Sequence, residues 1–138
     1  MLGWIAKNSD VSVRSGALRI TAAGRQPFLA NNKVRVNGPV EVRLRVRTGA
    51  DGTGRIQWRT ADQEVFPGEG QTAAFRIPGG DWQELSVPLA VEGTLAHVRL
   101  LPPVQKQPVE IDWIEIGPTE GSDEGRQRWD FGQRTEKE

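Results

Sequence analysis

The sequence predicts an all-β chain, a single antiparallel β-sandwich in preference to a barrel, and three observations carry that prediction. Val40–Thr48 reads VEVRLRVRT, with Val40, Val42, Leu44 and Val46 alternating with Glu41, Arg43, Arg45 and Arg47. Strict alternation is the mark of a half-buried strand, because successive side chains leave a pleated backbone on opposite faces. Around ten such short segments recur at roughly 8–12-residue spacing. Between them fall turn signals drawn from 16 glycines and 9 prolines, enough to divide that many strands. No helical periodicity competes with this pattern.

In order, Asp10–Arg14 and Ala17–Thr21 form two short strands across a Ser15-Gly16 turn. After Val40–Thr48, Gly49–Thr53 contains Asp-Gly and is predicted to close a hairpin onto Gly54–Thr60, GRIQWRT. Ala61–Gln71 is a polar loop interrupted by Val65-Phe66-Pro67, too long for a simple turn. Thr72–Ile77, Trp82–Leu89 and Leu95–Leu101 follow, and Pro88 marks its strand as an edge or a strand end. In Val109–Ile116, VEIDWIEI, the apolar parity slips between Ile111 and Ile114. A bulge at Asp112-Trp113 brings all four aliphatic residues onto the core. The expected core comprises Val42, Leu44, Val46, Ile56, Trp58, Phe75, Ile77, Leu85, Val87, Val98, Leu100 and Ile111. The domain is expected to span 1–132, with a charged, disordered tail over 133–138 and the two ends close together through pairing of DVSVR with RQRWDF.

Bulk properties exclude several functions. The chain has 18 basic and 18 acidic residues, so no global field recruits nucleic acid or anionic membrane. Cysteine is absent, which removes disulfides, thiolate metal sites and cysteine nucleophiles, and a single histidine argues against zinc. No apolar run is long enough to span a membrane, and Met1–Asp10 carries no signal-peptide pattern. No spacing selects a catalytic carboxylate pair. The chain is therefore read as a non-catalytic module.

Taken together, RLRVRT, IQWRT, AFRIPGGDWQELSVPL, LAHVRLLPP and VEIDWIEI resemble, in that order, the segments of galactose-binding-like jelly-roll domains of the carbohydrate-binding-module type. The resemblance covers about Val40–Ile116 and is most like the C-terminal appendage of bacterial sulfatase-like proteins. It implies an accessory domain that binds polysaccharide and accompanies a catalytic domain in a longer parent chain. It also implies an extracellular or periplasmic setting.

Three sets of residues are candidates for a site. Arg43, Arg45 and Arg47 share one face, and the expected hairpin places Gln57 and Arg59 beside them, with His97 and Arg99 at matching outward parity. Guanidinium groups hold carboxylate and sulfate bidentately, so such a face suits a sulfated or uronic polysaccharide. The alternative is a solvated face whose arginines pair with Glu41, Glu84 and Glu110, in an architectural or protein-interaction sandwich without a glycan site. Trp82, in the turn GGDWQE, is the aromatic ring expected to be displayed, whereas Trp58 and Trp113 read as structural and Trp4 and Trp129 as closing the ends of the sandwich. The jelly-roll resemblance further implies a structural calcium at Asp112, for which Asp10 and nearby carbonyls are candidate ligands.

Overall fold

A computed structural model describes residues 3–14, 16–22, 26–67, 70–105, 107–119 and 125–131. Twelve strands are present among them: β1 (Ile5–Lys7), β2 (Ser9–Arg14), β3 (Ala17–Ala22), β4 (Phe28–Asn31), β5 (Val36–Asn37), β6 (Val40–Arg47), β7 (Gly52–Thr60), β8 (Thr72–Ile77), β9 (Gln83–Leu89), β10 (Thr94–Leu101), β11 (Val109–Pro118) and β12 (Gln127–Asp130). They form two six-stranded sheets, antiparallel throughout. The first sheet runs β1-β4-β10-β7-β8, with β5 also paired to β10. The second runs β2-β3-β11-β6-β9, with β12 also paired to β11. No helix among the described residues is long and apolar enough to cross a membrane. The tail predicted over 133–138 lies outside the described residues.

The core is built from the apolar parity of each strand. Val40, Val42, Leu44 and Val46 of β6 face Ile56 and Trp58 of β7 across the sandwich, joined by Val98 and Leu100 of β10 and by Ile111, Ile114 and Ile116 of β11. Of the expected core residues only Phe75 and Leu85 are half-buried rather than fully buried. Phe75 sits opposite Gly54 in the ladder, and a Cβ at Gly54 would lie 2.5 Å from its ring. A bare glycine is what lets that ring lie down on the strand. Pro88 falls in β9, the edge strand of the second sheet, the position in a sheet that tolerates proline.

The bulge in the last long strand is present. The β11–β6 register steps from Ile111 opposite Val46 to Trp113 opposite Arg45, so Asp112 is the extra residue. Val109, Ile111, Ile114 and Ile116 are all buried as a result.

Two expectations are corrected. Gly49–Thr53 does not close a hairpin, because β6 pairs with β11 and β9 while β7 pairs with β10 and β8. The connection crosses from one sheet to the other. It is pinned by Asp51 Oδ1 accepting the Gly79 N–H at 2.8 Å and by the Gly80 N–H donating to Thr48 O at 2.9 Å. Likewise, β2 pairs with β3 rather than with the closing segment, and β3 and β12 lie at successive positions along β11. Among the described residues the opening and closing segments meet instead through side chains. Trp4, just ahead of β1, and Trp129 of β12 pack edge to face across the sandwich, with centroids 5.4 Å apart at 79°.

Candidate functional site

Because β6 and β7 belong to different sheets, the predicted site residues are divided between two opposite outer faces. Arg43, Arg45 and Arg47 belong to the second sheet, and Trp82 directly precedes its strand β9. Gln57, Arg59, His97 and Arg99 belong to the first.

On the second sheet the arginine row is neutralised. Arg43 Nε bonds Glu41 at 2.7 Å, and Arg47 Nη2 bonds Glu110 at 2.8 Å. Arg45 reaches both Glu84 and Asp112 at 3.3 Å. Arg19 lies 3.9 Å from Glu110, and Arg128 pairs with Glu115 and Asp130. The Ser86 hydroxyl, donating at 2.6 Å, and the Arg43 guanidinium hold the Glu41 carboxyl below its usual value, outweighing the effect of burial. Trp82 is half-buried, with Arg45 and Arg47 stacked over its ring at 5.2 and 4.6 Å from the centroid. Trp113 carries Arg128 at 4.5 Å in the same way. These rings support guanidinium groups and are not open platforms. An incoming anion would have to displace a carboxylate and then sit beside it. This face therefore adopts the paired arrangement anticipated as the alternative.

Asp112 owes its position to the bulge, which turns its carboxylate toward Arg45. Asp10 is opposite Thr21 on β3, whereas Asp112 is one step beyond Ile111, which faces Leu18. That offset is about 13 Å along the strands, with β3 intervening. The structure thus does not bring Asp10 and Asp112 together as ligands of one ion. Among the described residues no group of three or more His, Asp and Glu side chains is arranged to hold a metal.

The first sheet has a different outer face. The β10–β7 register sets His97 opposite Arg59, Arg99 opposite Gln57 and Leu101 opposite Arg55. Around His97 and Arg99 the surface sinks into two adjoining depressions, of about 480 and 200 Å³. The larger is bounded by Asn32, Arg59, Glu64, Val65 and Phe66. The smaller is bounded by Ile5, Lys7, Phe28 and Ala30, on β1 and β4. Ile5 and Val65, on the two rims, are 55% and 73% exposed, more than packing alone would leave two large aliphatic side chains.

Phe66 is brought in by the loop after β7. The Thr60 N–H donates to Gln63 Oε1 at 3.1 Å, Gln63 and Gln71 exchange side-chain amide bonds, and Gln71 Nε2 donates to Trp58 O at 2.8 Å. Arg59 Nη1 donates to the Gln63 carbonyl. This clamped base lays the Phe66 ring against His97, at 4.7 Å and 61°, and beneath the Arg99 guanidinium, whose central carbon is 3.9 Å from the centroid. Phe28 flanks the same guanidinium at 5.1 Å.

Electrostatically the two faces are opposites. Among the described residues no carboxylate lies within ion-pair distance of Arg55, Arg59 or Arg99. Arg99 Nε is buried without a hydrogen-bond partner. Burial, then the charges of Arg59 and Arg99, hold the His97 imidazole below its usual value. Cations thus gather around an aromatic ring, with the Glu64 carboxylate on the rim of the same depression but not ion-paired to them, and guanidinium groups so placed can donate bidentately to a carboxylate or sulfate. Sequence reasoning named Gln57, Arg59, His97 and Arg99 but grouped them with the arginine row of β6, and it did not name Phe66, Phe28, Asn32 or Ile5 as site residues. The one signal for Phe66 was the apolar Val65-Phe66-Pro67 inside a polar loop.

Comparison with known proteins places the architecture. The chain aligns with a family 29 carbohydrate-binding module at TM-score 0.59 and 12% identity, covering 84% of each chain. It aligns with the C-terminal family 6 module of a marine laminarinase from Zobellia galactanivorans at TM-score 0.55 and 18% identity, over 81% of this chain and 90% of that one. A family 6 module from Clostridium stercorarium, solved in complex with cellobiose, gives TM-score 0.55 and 13% identity over 84% and 86%. The fold is the carbohydrate-binding-module β-sandwich. No protein-family model and no curated protein matches the sequence. At these identities the likeness fixes the fold, and the ligand has to be argued from the site itself.

Proposed function

We propose that this chain is a non-catalytic carbohydrate-binding module that takes an anionic polysaccharide, uronic or sulfated, on the outer face of the β1-β4-β10-β7-β8 sheet. One observation carries the reading: Arg59, His97 and Arg99 converge on a depression floored by Phe66, with no carboxylate paired to either arginine among the described residues. Arg99 and Arg59 would hold the anionic groups and Asn32 and Gln57 the hydroxyls. The exposed edges of Val65 and Ile5 would meet C–H faces of the sugar rings. Binding is expected to be weak, because an open face leaves the guanidinium groups partly hydrated and buries little of the ligand.

The sequence resemblance to sulfatase appendages supports a module joined to a catalytic domain acting on the same polymer, outside the cell or in the periplasm. The family 6 neighbour that is itself the C-terminal module of a laminarinase is consistent with that arrangement. The paired face of the opposite sheet favours a second reading, an architectural sandwich with no ligand. A glycan array of neutral, uronic and sulfated polysaccharides, run at two salt concentrations, separates them. Salt-sensitive retention of anionic glycans supports the proposal, since exposed charges are screened beyond about 8 Å at physiological ionic strength. No retention at any salt supports the architectural reading.

A further inference from the structure

We infer that the binding face continues along β10 into a second subsite, which takes a further sugar unit of the same chain by its C–H face. The inference rests on the proposed glycan-binding reading and adds where the chain runs. Beyond Arg99 and Phe28 lies a hollow of about 350 Å³ walled by Pro27, Leu101, Pro102, Pro103 and Val104. Gln26 and Thr53 complete its lining, and Arg55 is its one charged residue among the described residues.

Register places this hollow on the same face as the first. Leu101 faces Arg55 in the β10–β7 ladder, four residues along from the His97–Arg59 rung, a distance of about 13 Å. Pro27 directly precedes Phe28, which borders the first depression, so the two hollows are neighbours along β4 as well. A chain of linked pyranose rings laid along β10 from Arg59 therefore passes over Arg99 and reaches the prolines. The hollow is held in shape from beneath. A Cβ at Gly52 would lie 2.6 Å from Pro103 Cβ, so the proline segment rests on bare backbone at the start of β7. Val104 stands at its mouth, 68% exposed. Pro27, Leu101, Pro102 and Pro103 are themselves buried and shape the wall, so Val104 is the saturated apolar surface left open to the C–H face of a sugar. Arg55, exposed and without an ion-pair partner among the described residues, is placed to meet that unit's own anionic group.

The test is titration calorimetry with two size series, oligogalacturonates and sulfated oligogalactans, each from dimer to octamer. Wild type should tighten by about tenfold between the dimer and the lengths that reach the prolines, then level off. The double substitution Arg55→Ala, Val104→Ser removes two exposed side chains and should leave the fold intact, checked by its melting curve. It should abolish the gain with length and leave dimer affinity within about twofold of wild type. Arg99→Ala should weaken every length. Binding with no length dependence in wild type, or equal loss for dimer and octamer in the double variant, would overturn the second subsite while leaving the first. Binding of neither series by wild type would overturn the glycan-binding reading and the second subsite with it.

Discussion

The Arg99 guanidinium rests on the Phe66 ring, 3.9 Å from its centroid, and this contact joins a loop that reads as filler to the middle of a sheet. A cation over an aromatic face at a partly exposed site contributes about 0.5–1 kcal/mol. The same ring packs on His97 and helps to keep water from it. Phe66→Ala should therefore raise the His97 pKa toward 6.5, its ordinary value. As the chain has one histidine, a proton NMR titration reads it directly. An unmoved midpoint would mean that Phe66 does not desolvate the imidazole.

The depressed His97 pKa sets a sign for stability. The folded state binds this proton less readily than the unfolded chain, so the stabilisation is complete above pH 6.5 and is lost as pH falls through the folded value. Glu41, also lowered, adds a separate loss that begins only below its ordinary 4.5. Melting temperature should decline in two windows on acidification, and His97→Asn should remove the upper one alone. A bound anion beside His97 would raise its pKa, so affinity for a uronic or sulfated glycan should strengthen as pH falls toward the lowered His97 value of the free protein.

The parity of β6 predicts an asymmetric pair of mutants. Leu44 is 1% exposed, and Leu44→Ala should cost about 2–5 kcal/mol through the cavity it leaves. Arg43, at the surface with Glu41, should cost less than about 1 kcal/mol as Arg43→Ala. Urea denaturation of both variants checks this, and equal costs would contradict the assigned faces.

The sequence announced the features that local pattern controls. The parity slip between Ile111 and Ile114 announced the bulge, because four aliphatic residues could not otherwise share one core. Pro88 announced an edge. Strand partnership was not legible, since alternation tells which face of a strand is buried and nothing about its neighbours. Asp51-Gly52 resembles a hairpin turn, yet its connection crosses between sheets, and that crossing separates Arg45 from Arg59. For the same reason Glu84 and Asp112, distant in sequence, arrive beside Arg45, and Trp82 ends beneath two arginines. Phe66 reaches His97 only because the Gln63–Gln71 clamp sets the direction of its loop.

Asp112 offers a further check. With its carboxylate 3.3 Å from Arg45, a calcium ion would have to displace a guanidinium and find its remaining oxygens elsewhere. The melting temperature is expected to be the same in excess calcium and in excess chelator. A rise with calcium, following mass action, would instead make Asp112 a metal ligand.

The central claim is that the anionic ligand sits on the β10–β7 face rather than on the arginine row of β6. Calorimetric titration of polygalacturonate and of a sulfated galactan into two double variants, Arg59→Ala with Arg99→Ala and Arg43→Ala with Arg45→Ala, tests it most directly. The account predicts that the first variant loses binding by more than about tenfold, while the second binds as wild type does. Loss in the second variant with the first unaffected would contradict it.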